Sequence, residues 1–177
     1  MSEPLGLIRI GKNLDYQLEA LMEPIWSTYP FIEPELVPAA DDPADAYDSS
    51  RSQYHSTRIL AQREQEMHSL KVERLLGVTS FDLFVPGLNF VFGEARLPGR
   101  VGVISTFRLK DPQGRADLLG ERVVKEAVHE IGHMVGLEHC STTSCVMYFS
   151  NTLADTDHKS RNLCRNCKSR MSVQIEQ

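Results

Sequence analysis

The stretch "HEIGHMVGLEHC", residues 129–140, constrains the fold more than any other part of the chain. His129 and His133 stand four residues apart, so on a helix their imidazoles leave the same face and can reach one ion. Glu130 lies one position along, at the edge of that site. A helix carries later residues away from such a point, so a third ligand requires the chain to stop and turn back. Gly136 supplies the left-handed conformation that ends a helix, after which His139 returns to the ion. Three histidines leave one position of a tetrahedral zinc site for water, the mark of a catalytic rather than a closed structural centre. The metal lowers the pKa of that water, and Glu130 is placed to take its proton. Five specified residues at fixed offsets set this run apart from an ordinary amphipathic helix. His55, His68 and His158 lack such spacing and read as surface residues.

Cys140 follows His139 with no gap and opens a second set. Cys140, Cys145, Cys164 and Cys167 form C-x4-C and, eighteen residues on, C-x2-C. All four lie in the last quarter of the chain, so they serve one local purpose and do not staple the whole fold. Two close pairs joined by a longer loop follow zinc-ribbon logic; disulfides or an iron centre are the alternatives that spacing leaves open. Lys159, Arg161, Arg165, Lys168 and Arg170 crowd the second pair, where they offset the net negative charge of four thiolates around a dication. Read as a nucleic-acid patch, the same cluster lacks interleaved aromatics. Two complete ligand sets that share no residue predict two zinc ions per chain, one catalytic and one structural.

The rest of the sequence has to supply a core. With 177 residues, 41% of them hydrophobic, the chain is long enough for one domain. A net charge of -5 argues against a general binder of nucleic acid or membrane surface. No secretory leader and no stretch of about 18 apolar residues is visible. A cytoplasmic monomer with no nucleic-acid and no membrane partner is expected. "LGLIRIG" suits a buried strand, and "LDYQLEALMEPIWSTY" a helix with Leu14, Leu18, Leu21, Met22 and Ile25 inward. "FIEPELVP" reads as a second strand and "AADDPADAYDSSRSQ" as an exposed loop. A long helix is expected through "SRSQYHSTRILAQREQEMHSL", with a serine as N-cap and Ile59, Leu60 and Met67 inward. "VTSFDLFV", "NFVFGEARL" and "RVGVISTFRL" read as strands, the last two a hairpin around Pro98-Gly99. "ADLLGERVVKEAVHEIGHMVGL" is the most periodic helix, with Asp117 as cap and Val124, Ala127, Val128, Ile131, Met134 and Val135 on its buried side.

"HEIGHMVGLEH" matches H-E-x-x-H-x-x-G-x-x-H and, with Met147 in "CVM", resembles the zinc signature and Met-turn of the metzincin metalloproteases. The continuation is similar to one branch, the archaemetzincins: His139 followed by Cys140, then Cys145, Met147, "YFSNTLADTDHKSRNLC" and a final C-x2-C. The upstream "FGEARLPGRVGVISTFRL" is similar to that family too. The resemblance implies an α+β, zincin-type fold with a mixed, mostly parallel sheet and helices in an upper lobe, about residues 1–136. A small irregular zinc-binding lower lobe, about 137–177, completes a single domain, 1–177. It implies His129, His133 and His139 as ligands of the catalytic zinc, Glu130 as general base and then acid, and Met147 beneath the metal. The position two after the methionine, a tyrosine in several metzincins, is Phe149, with Tyr148 one earlier. The expected activity is hydrolysis of peptide bonds through a zinc-bound water. A peptide or protein substrate would lie extended along an edge strand in "RVGVISTFRL", with Phe149, Ser150 and Asn151 as pocket walls. A peptide-binding module of the same build with little turnover is the alternative, and the intact Glu130 counts against it.

Overall fold

The computed structural model describes residues 2–175. Strand β1 (Glu3–Ile10) buries Leu5, Gly6, Leu7 and Ile8 in succession, the pattern of a strand covered on both faces. The helix expected from Leu14 shrinks to a 3-10 turn (Leu18–Leu21) and α1 (Met22–Thr28). Pro24 lacks a backbone N–H and is tolerated only in the first turn, so the helix begins just before it. Strand β2 (Ile32–Leu36) then pairs parallel to β1.

The acidic loop carries a 3-10 turn (Ala44–Ala46) and leads into β3 (Tyr47–Asp48) and β4 (Gln53–His55). Helix α2 (Ser56–Leu70) therefore starts later than the sequence suggests, because residues 53–55 are held in strand pairing. No serine serves as its N-cap; His55 occupies that position without a side-chain bond. The stretch read as one strand from Val78 is divided: β5 (Arg74–Thr79) ends at a turn, and β6 (Leu83–Phe84) joins β3 and β4 in a separate small sheet. Strands β7 (Gly93–Ala95) and β8 (Val101–Ser105) form the expected antiparallel hairpin. Helix α3 (Ala116–Met134) follows, with Arg115 as N-cap and Asp117 in its first turn. Two short helices, α4 (Leu153–His158) and α5 (Arg165–Ile175), complete the described chain.

The main sheet has the order β2-β1-β5-β8-β7, parallel except for β7. This order corrects one expectation. β8, from "RVGVISTFRL", is interior, and the edge is β7 from "NFVFGEARL". Side chains alternate between two cores, as strand geometry requires. Leu5, Leu7, Leu76, Val78 and Ile104 face α1 and α3, whereas Ile8, Ile10, Leu75, Val101 and Val103 face α2. The first core continues through Leu137, Cys145, Val146, Met147, Leu163 and Cys167, so the cysteine-rich segment packs into the same apolar cluster as α3. No helix among the described residues is long and apolar enough to cross a membrane.

Tyr29 closes the seam between α1 and α3. It is fully buried, and its hydroxyl donates to the Val128 carbonyl at 2.7 Å, one residue before His129. Tyr29→Phe should lower stability by about 1 kcal/mol, the net worth of one buried hydrogen bond. Urea unfolding measures this.

Candidate metal centres and cleft

The end of α3 positions the histidines. Gly136 has φ +93°, and the amides on either side of the turn fold back: Gly136 N–H donates to His133 O at 2.9 Å and Leu137 N–H to Gly132 O at 2.8 Å. These paired bonds are a Schellman motif. The turned-back Leu137 then offers its carbonyl to His133 Nδ1 at 2.7 Å, and Val146 offers its own to His129 Nδ1 at 2.8 Å. A carbonyl only accepts, so each Nδ1 carries the proton and each Nε2 keeps its lone pair. Those lone pairs converge: His133 Nε2 lies 3.1 Å from His129 Nε2 and 3.2 Å from His139 Nε2. Burial holds His129 well below its ordinary pKa and lowers His133 to about 4, with the cationic Lys159 adding to the effect on each. His139 is lowered by the same causes. Neutral imidazoles with clustered lone pairs repel one another unless a cation sits between them. A tetrahedral zinc with Zn–N of about 2.0–2.1 Å spaces its nitrogens by about 3.3–3.4 Å, so the donor set fits.

The cysteines make a second cluster. All four are free thiols. Cys140 and Cys164 sulfurs lie 3.8 Å apart, as do those of Cys145 and Cys167, far beyond a disulfide bond of about 2.05 Å. A tetrahedron with Zn–S of about 2.3 Å has edges of about 3.8 Å, so these thiols also fit zinc. Backbone amides point at the sulfurs: Thr142 N–H at Cys140, 3.4 Å, and Cys164 N–H at Cys145, 3.3 Å. The amide of Cys167 helps pull the Cys164 thiol down to about 7. At Cys164 such donors favour thiolate, the ligating form, whereas burial raises the Cys145 and Cys167 thiols. The two clusters are tied by backbone as well as by sequence, since Cys140 N–H donates to Met147 O at 2.9 Å and Val146, the acceptor for His129, follows Cys145.

A cleft of about 700 Å³ opens beside the histidines, under β7. Glu130 lines it, is 4% exposed, and leaves Oε2 buried without a hydrogen-bond partner. Burial, aided by neighbouring Glu126, pushes its carboxyl well above the usual range. Met147 is fully buried, and a side chain at Gly132 would collide with its Sδ. Phe149 and Asn151 line the cleft, but Ser150 does not and its hydroxyl is buried unpaired. Phe149 packs against the His139 ring at 4.9 Å. Position 149 therefore offers the cleft no hydroxyl.

A polar seam is hidden from the sequence. Glu126, one turn before Glu130, takes Lys159 Nζ at 3.0 Å, and Lys159 also donates to Tyr148 O at 3.4 Å. Lys159 is fully buried and faces Glu126, not the thiols it is expected to neutralise. Arg122 grips Asp157 through two bonds of 2.7 and 2.8 Å, and Lys125 donates to the carbonyls of Thr156 and Asp157. No local pattern announces contacts between residues so distant in sequence.

A mostly parallel sheet with an antiparallel edge strand, laid over a helix whose His129 and His133 meet His139 from beyond the helix end, beside a buried carboxyl, is the arrangement of a zinc metallopeptidase. Residues 15–173 match peptidase family M54. The chain is 48% identical to the archaemetzincin of Archaeoglobus fulgidus over 136 residues, 77% of this chain and 79% of that one. It is 50% identical to the archaemetzincin of Methanopyrus kandleri over 127 residues, 71% and 69% of the two chains. The crystal structure of the Methanopyrus kandleri archaemetzincin superposes with TM-score 0.87 at 36% identity, covering 99% of this chain and 97% of that one. The Archaeoglobus fulgidus archaemetzincin complexed with malonate gives TM-score 0.81 at 41% identity, covering 94% and 99%. The protein belongs to peptidase family M54, the archaemetzincins.

The seam yields a stability prediction. Lys159→Met strands a buried carboxylate, with the Glu126 side chain only 4% exposed. Removing one partner of a buried pair should cost about 3–5 kcal/mol. Adding Glu126→Gln should recover a large part of it, and urea unfolding of both variants is the check.

Proposed function

We propose that this chain is a zinc-dependent peptidase in which His129, His133 and His139 hold the catalytic ion and Cys140, Cys145, Cys164 and Cys167 hold a structural one. The observation that carries this reading is the convergence of three imidazole Nε2 atoms, those of His129 and His133 with free lone pairs, beside a buried carboxyl with an unpaired oxygen. Zinc, when bound, supplies Lewis acidity, which acidifies water near neutral pH and stabilises negative charge on a substrate carbonyl oxygen. Glu130 takes the proton from the attacking water and delivers it to the leaving amine. The backbone of β7 aligns an extended peptide over the histidines, as an added strand aligns on a sheet edge. Phe149 and Asn151 form walls of the side-chain pocket, and Met147 packs beneath the histidine-bearing helix. Residues 1–177 act as one domain, with an upper lobe to about 136 and a lower lobe from about 137.

Three experiments test the reading. Glu130→Ala should keep both metals and the fold yet lose turnover by at least about a hundredfold, measured on a mixed peptide library with a chelator control. An active Glu130→Ala protein would remove the proposed base.

Metal analysis should find two zinc ions, and the open histidine site should release its ion to a chelator first. Cys164→Ser should also weaken zinc at the histidines, because the carbonyl of Val146 orients His129 and Val146 adjoins Cys145. Wild-type affinity there, in a variant that remains folded by circular dichroism, would show the sites to be independent.

A further inference from the structure

The cleft edge brings backbone unusually near the side chain assigned as base. A Cβ built on Gly93 would lie 2.6 Å from Glu130 Oε1, 3.0 Å from Glu130 Cγ and 2.8 Å from the Val103 carbonyl oxygen. Real Cβ atoms essentially never sit so close. Gly93 is not among the glycines with positive φ, so its backbone is one that any L residue adopts. Conformation does not demand glycine at this position; space does.

We propose that Gly93 is a positioning residue for Glu130: the missing side chain on the cleft-edge strand is the slot that receives the Glu130 carboxyl. The proposal rests on Glu130 as the proton carrier. Neither wall of the slot can retreat. On one side β7 is fastened three ways: Glu94 and Ala95 pair with Val103 and Gly102 of β8, Ser105 N–H donates to Phe92 O at 2.8 Å, and the Glu94 carboxylate accepts the hydroxyls of Ser56 and Thr57. That last contact anchors the strand to the N-terminus of α2, which has no side-chain cap from its own N-cap residue. A carboxylate is well placed there, beside unsatisfied amides. On the other side Glu130 springs from the buried C-terminal part of α3, which is tied to α1 by the Tyr29 hydroxyl on the Val128 carbonyl. With both backbones held, the overlap with Glu130 is relieved by moving its side chain, while the contact with the Val103 carbonyl remains as a separate cost. Its Oε2 has no protein partner to hold it in place, so the slot itself fixes the carboxyl.

The test is a cycle of Gly93→Ala, Glu130→Ala and the double variant, read by thermal unfolding, with kcat and KM for the active forms. Gly93→Ala should lower Tm in the wild-type background and lower it much less in the Glu130→Ala background, where the methyl group enters space the carboxyl has left. The Val103 clash is common to both backgrounds, so the difference isolates the Glu130 contact. Gly93→Ala should also reduce kcat about a hundredfold, the cost of displacing a reacting group by about 1 Å, with KM and the zinc affinity of the histidines unchanged. Gly120→Ala is the control, since a Cβ there meets nothing within 4 Å. If Gly93→Ala does not fold but the double variant does, the contact stands. Equal Tm losses in the two backgrounds, failure of both to fold, or a Gly93→Ala enzyme with wild-type kcat would overturn the proposal. If Glu130→Ala itself stayed active, the role of Glu130 in turnover would fail, while the stability difference would still decide whether Gly93 makes room for it.

Discussion

Two backbone carbonyls decide which nitrogen of each helical histidine is free. Val146 and Leu137 accept the Nδ1 protons of His129 and His133, and only then do the Nε2 lone pairs meet at one point. Each carbonyl is delivered by a turn with its own cause. Leu137 arrives because Gly136, at φ +93°, reverses the chain and lets two amides close the helix end. Val146 arrives because Cys145 before it is gathered with three other thiols, while Val146 N–H is held by Asn162 O at 3.0 Å. A centre that reads as the property of one helix is therefore shared among the helix, its termination and the cysteine-bearing segment. Misplacing either carbonyl would release a tautomer and so a ligand, without altering any histidine.

The charges around this centre depend on partners in the same way. An ammonium removed from water costs several kcal/mol unless it is paired, and Lys159 is fully buried. Its carboxylate partner, Glu126, stands one turn from Glu130 on α3, and its second acceptor, the Tyr148 carbonyl, directly follows Met147. The pair thus joins α3 to the segment that carries Met147, whose Sδ lies against Gly132 of the same helix. Lys159 also favours the neutral forms of all three histidines. It acts on the metal site through field and placement without touching the cleft.

The parts of this arrangement that are legible in the sequence are those written within a few residues of one another. His129, Glu130, His133, Gly136 and His139 are fixed by helical period and one turn, and the four thiols by two short spacings. The hairpin of β7 and β8 is signalled by Pro98-Gly99. What cannot be read depends on who sits beside whom. The edge strand escapes a sequence reading because both strands of a hairpin look alike until the sheet order places β8 inside. The start of α2 reads too early because residues 53–55 have helical neighbours but strand partners. Lys159 sits beside cysteines in sequence and beside Glu126 in space. Gly93 lies within "NFVFGEARL", read as a strand, and the reason for a glycine there emerges only once α3 is laid under the sheet.

The touching of His139 and Cys140 then has a physical meaning. The chain from Leu137 to Cys167 contains only one complete short helix, α4, so little of it is ordered by regular hydrogen bonding. Fixing each such residue costs about 1–2 kcal/mol of conformational entropy. Apolar burial answers part of this, through Leu137, Val146, Met147 and Leu163. A structural zinc contributes on the order of 10 kcal/mol in small finger peptides, a magnitude suited to holding such a segment. On the proposed assignment, placing one thiol directly after the third histidine makes that ordering act at the exposed His139, which no helix carries. Consecutive Cα atoms are about 3.8 Å apart, so a fixed Cys140 leaves His139 little freedom. The Cys140 amide on the Met147 carbonyl then ties that same peptide to the floor of the site. Two ligand sets that share no residue can in this way share one rigid piece of backbone.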